Sequence, residues 1–158
     1  MVWPCGWVCH AVRAPGVKWT LLACTRELAD GVATAPGPSD WFTGVVYLDA
    51  VATPAAGARL SATRVHFTPG ARTAWHTHPR GQTIYVTEGT GRCQRRGGPV
   101  EAIRPGDRVF FEPGEEHWHG AAPDRFMTHL AMQEVDDTGS SVTWGAHVTE
   151  AEYGQQPD

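Results

Sequence analysis

Six of the eight histidines fall between positions 66 and 129. Two lie in the run Gly70-Ala-Arg-Thr-Ala-Trp-His76-Thr-His78-Pro-Arg-Gly-Gln82, which closes at Gly89. Two more end the run Gly106-Asp-Arg-Val-Phe-Phe-Glu-Pro-Gly114-Glu-Glu-His117-Trp-His119. Side chains alternate faces along a strand, so His76 and His78 point the same way, as do His117 and His119. Two neighbouring strands could therefore aim imidazoles at one point, with Gln82 nearby. That is a metal site in outline.

Short strands must carry these residues. Trp41 to Leu48 reads as one strand and Leu60 to Phe67 as another. In the second, Thr63, Val65 and Phe67 share a face, and Arg64 and His66 take the other. Pro69-Gly70 turns the chain into the first histidine strand. Thr83 to Thr87 is β-branched and aromatic, ending at Glu88-Gly89-Thr-Gly91. Arg92 to Arg96 and Val100 to Ile103 flank Gly97-Gly98-Pro99, a hairpin signature. Arg104-Pro-Gly-Asp107 suits a type II turn. Arg108 to Phe111, Trp118 to Ala121 and Phe126 to Glu134 supply further strands. Thr149-Glu-Ala-Glu152 is a capping-box pattern for one short helix. Many short strands joined by Gly/Pro turns read as an all-β sandwich or barrel.

A chain of 158 residues fits one domain with its own core. Residues 1–38 have no clear periodicity and end in Ala35-Pro-Gly-Pro38, so they read as a poorly ordered N-terminal extension, with the domain spanning 39–158. A formal charge of -4 with no basic stripe argues against nucleic acid as a partner. No apolar stretch is long enough to cross a bilayer and no signal peptide is evident, which reads as a cytoplasmic protein. Cys5, Cys9 and Cys24 match no strong metal-ligand spacing and are expected to be free thiols, as disulfides are not expected in a reducing compartment.

The two histidine runs resemble the motifs of the cupin superfamily. Gly70, His76, His78, Gln82 and Gly89 meet every spacing of the first motif, with glutamine where glutamate is usual. Gly106, Gly114 and His117 fit the second; Gly120 stands where that motif ends in asparagine. From about Trp41 to Tyr153 the chain is also similar to a subgroup of small bacterial manganese cupins that includes hydroxynitrile lyases. Ala71-Arg-Thr-Ala-Trp-His-Thr-His-Pro, Ile103-Arg-Pro-Gly-Asp, His117-Trp-His-Gly-Ala and Met127-Thr-His129 carry that likeness.

The resemblance implies a jelly-roll barrel (a double-stranded β-helix) with one short C-terminal helix. It makes His76, His78, Gln82 and His117 the ligands of a divalent metal. Mn(II) is the expected ion, and Fe(II), Zn(II) or Ni(II) are the alternatives. Three imidazoles and one oxygen suit such ions, and four ligands leave an octahedral metal two open positions, as catalysis requires. With a neutral amide in place of glutamate the ion's full +2 charge stays uncompensated, which favours Lewis-acid chemistry on an anionic oxygen.

The resemblance places His129 in the barrel cavity near the metal, where an uncoordinated imidazole can act as general base. The competing reading makes it a buried histidine that orients its neighbours. His119 is expected to contact substrate or the ligands, and His66 to be structural or on the surface. Thr63, Val65, Ile84, Phe110 and Gln133 are expected to complete a pocket for a small organic substrate. Arg80, Phe111 and Arg125-Phe126 depart from the subgroup's usual residues near the expected cavity mouth or wall.

Three functions fit. The first is a carbon–carbon lyase of hydroxynitrile lyase or aldol type. The second is an Fe(II)-dependent dioxygenase, and the third a non-enzymatic metal-dependent small-molecule binder. The resemblance also implies a homo-dimer or homo-tetramer.

Overall fold

The computed structural model describes residues 32–54 and 57–157. Cys5, Cys9, Cys24 and His10 lie outside the described residues. The strands are β1 (Thr34–Pro36), β2 (Phe42–Thr43), β3 (Val46–Ala52), β4 (Leu60–Phe67), β5 (Arg72–Thr73), β6 (His76–Thr77) and β7 (Gln82–Gly89). There follow β8 (Gly91–Arg95), β9 (Val100–Ile103), β10 (Arg108–Phe111), β11 (His117–Ala121), β12 (Met127–Glu134) and β13 (Thr143–Trp144). The helix α1 (Glu150–Tyr153) comes last.

One sheet runs β1-β3-β4-β12-β7-β10 and the other β13-β6-β11-β5-β2, with β8 on the far side of β11 and β9 beyond it. Every pairing is antiparallel, for example Phe111 opposite Gln82 and His129 opposite Val65. The inward faces meet in a core that includes Val46, Val65, Phe67, Ile84, Val86, Phe111 and Met127. A smaller cluster of Trp75, Val100, Trp118, Val148 and Tyr153 packs beneath the helix.

Most turn chemistry operates as the sequence leads one to expect. At Arg104–Asp107 the Asp107 N–H donates to the Arg104 carbonyl at 3.0 Å, with Gly106 at φ 95° as a type II turn requires. The capping box forms: Thr149 Oγ1 accepts from the Glu152 N–H at 3.2 Å, and Glu152 Oε2 accepts from the Thr149 N–H at 2.8 Å. Among the described residues, no helix is long and apolar enough to cross a membrane.

Two expectations change. The strand expected over Trp41 to Leu48 is broken at Gly44, whose φ of 80° suits glycine and turns the chain from one sheet to the other. Phe42 then pairs with Thr73 in the second sheet, and Val46 with Phe67 in the first. The sheet also reaches back into the segment expected to be an extension, because Thr34–Pro36 pairs with β3 and Thr34 Oγ1 donates to Asp49 Oδ1 at 2.7 Å.

Glycine at position 120, inside β11, answers a close approach. A Cβ there would sit 2.5 Å from the Ala71 carbonyl oxygen and 2.6 Å from Arg72 Cα. Gly120→Ala should lower unfolding stability by about 1–3 kcal/mol, the usual cost of overpacking. Denaturant melts check this, and a loss below about 0.5 kcal/mol, within the range of an ordinary surface substitution, would contradict the packing.

Candidate metal centre

β11 runs through the middle of its sheet, with β6 and β5 on one side and β8 on the other. Its alternation sends His117 and His119 inward, and the pairing of His117 with His76 brings β6 alongside. Gln82 opens β7 in the facing sheet, opposite Phe111 and Gln133. The result is a buried cluster of His76, His78, Gln82, His117, His119 and His129. Phe111 lies flat on His117, ring centroids 3.6 Å apart and planes within 6°.

Three of these rings are held in one manner. His76 Nδ1 bonds the Ala74 carbonyl at 2.9 Å, His78 Nδ1 the Ser141 carbonyl at 2.5 Å and His117 Nδ1 the Glu115 carbonyl at 2.8 Å. A carbonyl only accepts, so each Nδ1 carries the proton and each Nε2 keeps its lone pair. His78 Nε2 is buried without a hydrogen-bond partner. His117 Nε2 faces Gln82 Oε1 at 3.2 Å, which sets two electron pairs against each other. Lone pairs so oriented fit an electron-pair acceptor such as a metal ion.

His119 differs. Its Nε2 lies 3.2 Å from Gln82 Oε1, and its Nδ1 lies 3.1 Å from His129 Nε2. Side-chain donor atoms of His76, His117 and His119 come within 4.8 Å of one another, so those three could also hold an ion. Both nitrogens of His119 already have protein partners, whereas His78 offers a free one.

A cavity of about 190 Å³ opens beside the cluster. His76, His78, Gln82, His119, Gln133 and Thr73 make its polar end, and Trp41, Phe42, Leu48, Val65, Val142 and Trp144 much of its apolar wall. Of the expected pocket residues, Thr63, Val65, His119 and Gln133 line it. Two do not. Ile84 is fully buried in the core, and Phe110 is 40% exposed on the outer face. Alternation along β10 explains the second, because Phe111 takes the inward position against His117. His129 is fully buried behind His119 and against Phe67, not on the cavity wall. His66 lies on the outer side of its strand, bonded to Asp49 Oδ2 at 2.9 Å.

Trp41 and Trp144 escaped the sequence reading. They stack at 5.4 Å and 9°, and Trp144 packs on His76 at 4.9 Å. The pairing of Thr143–Trp144 with β6 brings Trp144 to the site, and the Trp41 carbonyl, which accepts from the Ala74 N–H at 2.7 Å, brings Trp41 there; no local pattern announces a two-residue strand.

Burial holds all five cluster histidines neutral. It pushes the imidazoles of His117 and His129 down to about 3. His76 and His119 also fall well below the ordinary value, by burial first and then by the neighbouring rings. His78 is lowered by burial as well. Neutral imidazole is the form that binds metal.

Residues 63–130 match the family of cupin domains. An (R)-mandelonitrile lyase from Granulicella tundricola is 56% identical over 121 residues, which cover 77% of this chain and 92% of that protein. Among solved structures, a cupin-like protein from Thermotoga maritima is 41% identical with a TM-score of 0.71, covering 75% of this chain and 90% of that one. A polyketide cyclase from Streptomyces resistomycificus shares the fold with a TM-score of 0.55 at 24% identity, over 68% of this chain and 75% of that one.

The lowered histidines set a pH dependence. Between their native values and about 6.5, the unfolded chain binds protons that the native state refuses, so stability falls as the pH falls. Each such histidine contributes a slope that approaches about 1.4 kcal/mol per pH unit as the pH drops below about 6.5. The thermal midpoint of metal-free protein should therefore drop steeply between pH 6.5 and 5, before most carboxylates titrate. A midpoint that stays level or rises over that interval would contradict a neutral cluster.

Proposed function

The chain belongs to the cupin family, and from that premise we propose that it is a metal-dependent lyase that cleaves a small 2-hydroxynitrile into a carbonyl compound and hydrogen cyanide. The observation that carries this reading is the set of Nδ1-anchored imidazoles of His76, His78 and His117 in one buried cluster with Gln82, with His76, His78 and Gln82 lining the polar end of a small cavity. The 56% identity to an enzyme named for mandelonitrile cleavage supplies the substrate class.

We assign His76, His78, Gln82 and His117 as ligands of a divalent metal, Mn(II) by preference. His78 enters this set because its Nδ1 is anchored to a carbonyl and its Nε2 has no partner, and His119 stays out because its Nδ1 meets another imidazole, His129, and no carbonyl fixes its tautomer. A metal held there would supply a Lewis acid for the substrate oxygen.

The protein's own groups do the rest. The apolar wall from Trp41 to Trp144 takes the organic substituent and excludes water. His119 is the uncoordinated imidazole on the cavity wall, and His129 backs it at 3.1 Å. When His119 Nδ1–H donates to His129 Nε2, His119 Nε2 carries a lone pair beside Gln82 Oε1 that can take the substrate hydroxyl proton. The oxygen's electrons then form the carbonyl bond, the carbon–carbon bond breaks and its electron pair leaves with cyanide. The imidazole pair returns the proton to cyanide. Charge on either buried ring is disfavoured, so the proton is held only briefly.

This reading moves His129 from direct contact to a place behind His119. Mn(II)-loaded protein should release benzaldehyde and cyanide from mandelonitrile. His119→Ala and His129→Ala should each lower kcat by about 10²–10⁴-fold with bound metal unchanged. His78→Ala should instead lose metal and activity together. Full activity in metal-replete His129→Ala would remove that residue from the mechanism. Oxygen uptake by Fe(II)-loaded protein without nitrile cleavage would favour a dioxygenase instead.

A further inference from the structure

Two of the four assigned ligands come from β6 and the residue after it, a very short piece of strand. On its inner side β6 leans on β11 through the pairing of His76 with His117. On its outer side, among the described residues, it has only the segment that ends in β13, where Thr143 pairs with Thr77 and Trp144 with His76. The pairing continues outward, as the Gly145 N–H donates to the Trp75 carbonyl at 2.7 Å and the Trp75 N–H to the Ala146 carbonyl at 2.9 Å. The same segment touches both rings: the Ser141 carbonyl fixes His78 Nδ1, and the Trp144 indole packs on His76.

The preceding residues form a turn that holds its own shape. Asp136 Oδ1 accepts from the Thr138 N–H at 2.8 Å and the Ser140 N–H at 3.0 Å, and the Asp136 N–H donates to the Ser140 carbonyl at 2.8 Å. Asp137 then fastens the turn to the body of the protein. Its Oδ1 takes Arg59 at 2.6 Å and Arg80 at 3.3 Å. Arg80 lies in the turn between His78 and Gln82, so this clasp closes on the loop that carries two assigned ligands.

We propose that residues 136–144 form a strap that positions His76 and His78 for metal binding, with Trp144 and Asp137 as its positioning residues. The inference rests on the metal-site reading above and not on the identity of the substrate. The strap acts on the rings through other groups: Trp144 fixes the plane of His76, Ser141 the tautomer of His78, and Asp137 the distance between strap and ligand loop. Ser141, Val142 and Trp144 also line the cavity, so a shift of the strap would move ligands and pocket wall together.

Metal affinity of the full-length chain tests this without any turnover, by competition of Mn(II) against a chromophoric chelator. Trp144→Ala should weaken Mn(II) about 10–100-fold, as loss of a group supporting a ligand usually does, and Trp144→Phe should restore most of it. Asp137→Ala breaks an exposed clasp and should weaken binding only about 2–5-fold. In Co(II)-substituted protein, Trp144→Ala should shift the visible absorption bands. Ile103→Ala, a core change away from the strap, should lower the melting temperature but leave affinity and spectrum alone.

Unchanged Mn(II) affinity in folded Trp144→Ala and Asp137→Ala overturns the strap. So does an equal loss of affinity in Ile103→Ala, which would make the effect one of general stability. Should Trp144→Ala fail to fold, Trp144→Leu and Asp137→Ala carry the same comparison. A protein that binds Mn(II) tightly yet leaves mandelonitrile intact would fail as a lyase while leaving the strap testable. A wild-type chain that takes up no metal overturns the ligand assignment and the strap together.

Discussion

The site depends on three hydrogen bonds from imidazole Nδ1 to main-chain carbonyls, at Ala74, Glu115 and Ser141. Two of them are local, each reaching two residues back along the chain. Backbone that holds the strand also holds the ring, and little extra order is needed. The third reaches 63 residues forward, from His78 to Ser141. That bond is the vulnerable one, because it depends on the segment that pairs with β6 through β13. A single kind of interaction thus sets three tautomers, and it joins the histidine motifs to the β13 edge of the sheet.

Burying so many imidazoles has a cost that packing must offset. A neutral imidazole in an apolar setting still needs partners for both nitrogens. The structure meets much of that need with carbonyls and with the contact between His119 and His129. It leaves His78 Nε2 and His129 Nδ1 unmatched. Aromatic faces fill the space between: Phe111 on His117, Phe67 against His129 and Trp144 on His76. Such walls exclude water and keep the rings neutral. In a site of this kind, each remaining lone pair is a strong electron donor.

Much of this was legible in the sequence, for reasons that are local. Alternation along Leu60–Phe67 put Thr63 and Val65 toward the cavity, and His-X-His spacing twice over put four imidazoles on inward faces. Turn residues located Arg104–Asp107 and the Gly97-Gly98 hairpin, since a positive φ leaves few choices of residue. What failed to show is what depends on distant pairing. Gly44 looked like one residue of a strand, and only the second sheet makes it a crossing point. Phe110 and Phe111 are indistinguishable by type, and a one-residue choice of face sent the wrong one to the pocket. His129 faces inward as its strand requires, but His119 stands between it and the cavity. Trp144 belongs to a strand so short that it exists only because β6 is there to receive it.

Gln82 is where the charge of the site is decided. The amide oxygen lies 3.2 Å from both His117 Nε2 and His119 Nε2. A carboxylate in that place would draw protons onto both rings and so compete with a metal for His117. It would also cut the net charge of an occupied site from +2 to +1. The neutral amide does neither. It leaves the imidazoles without a charged partner, and it is held in turn by Gln133, whose Oε1 accepts from Gln82 Nε2 at 3.3 Å. That bond turns Oε1, and not the amide nitrogen, toward the histidines. The pairing of Gln133 with Gln82 across β12 and β7 would therefore serve a metal held at this site, since it turns an oxygen toward the histidines.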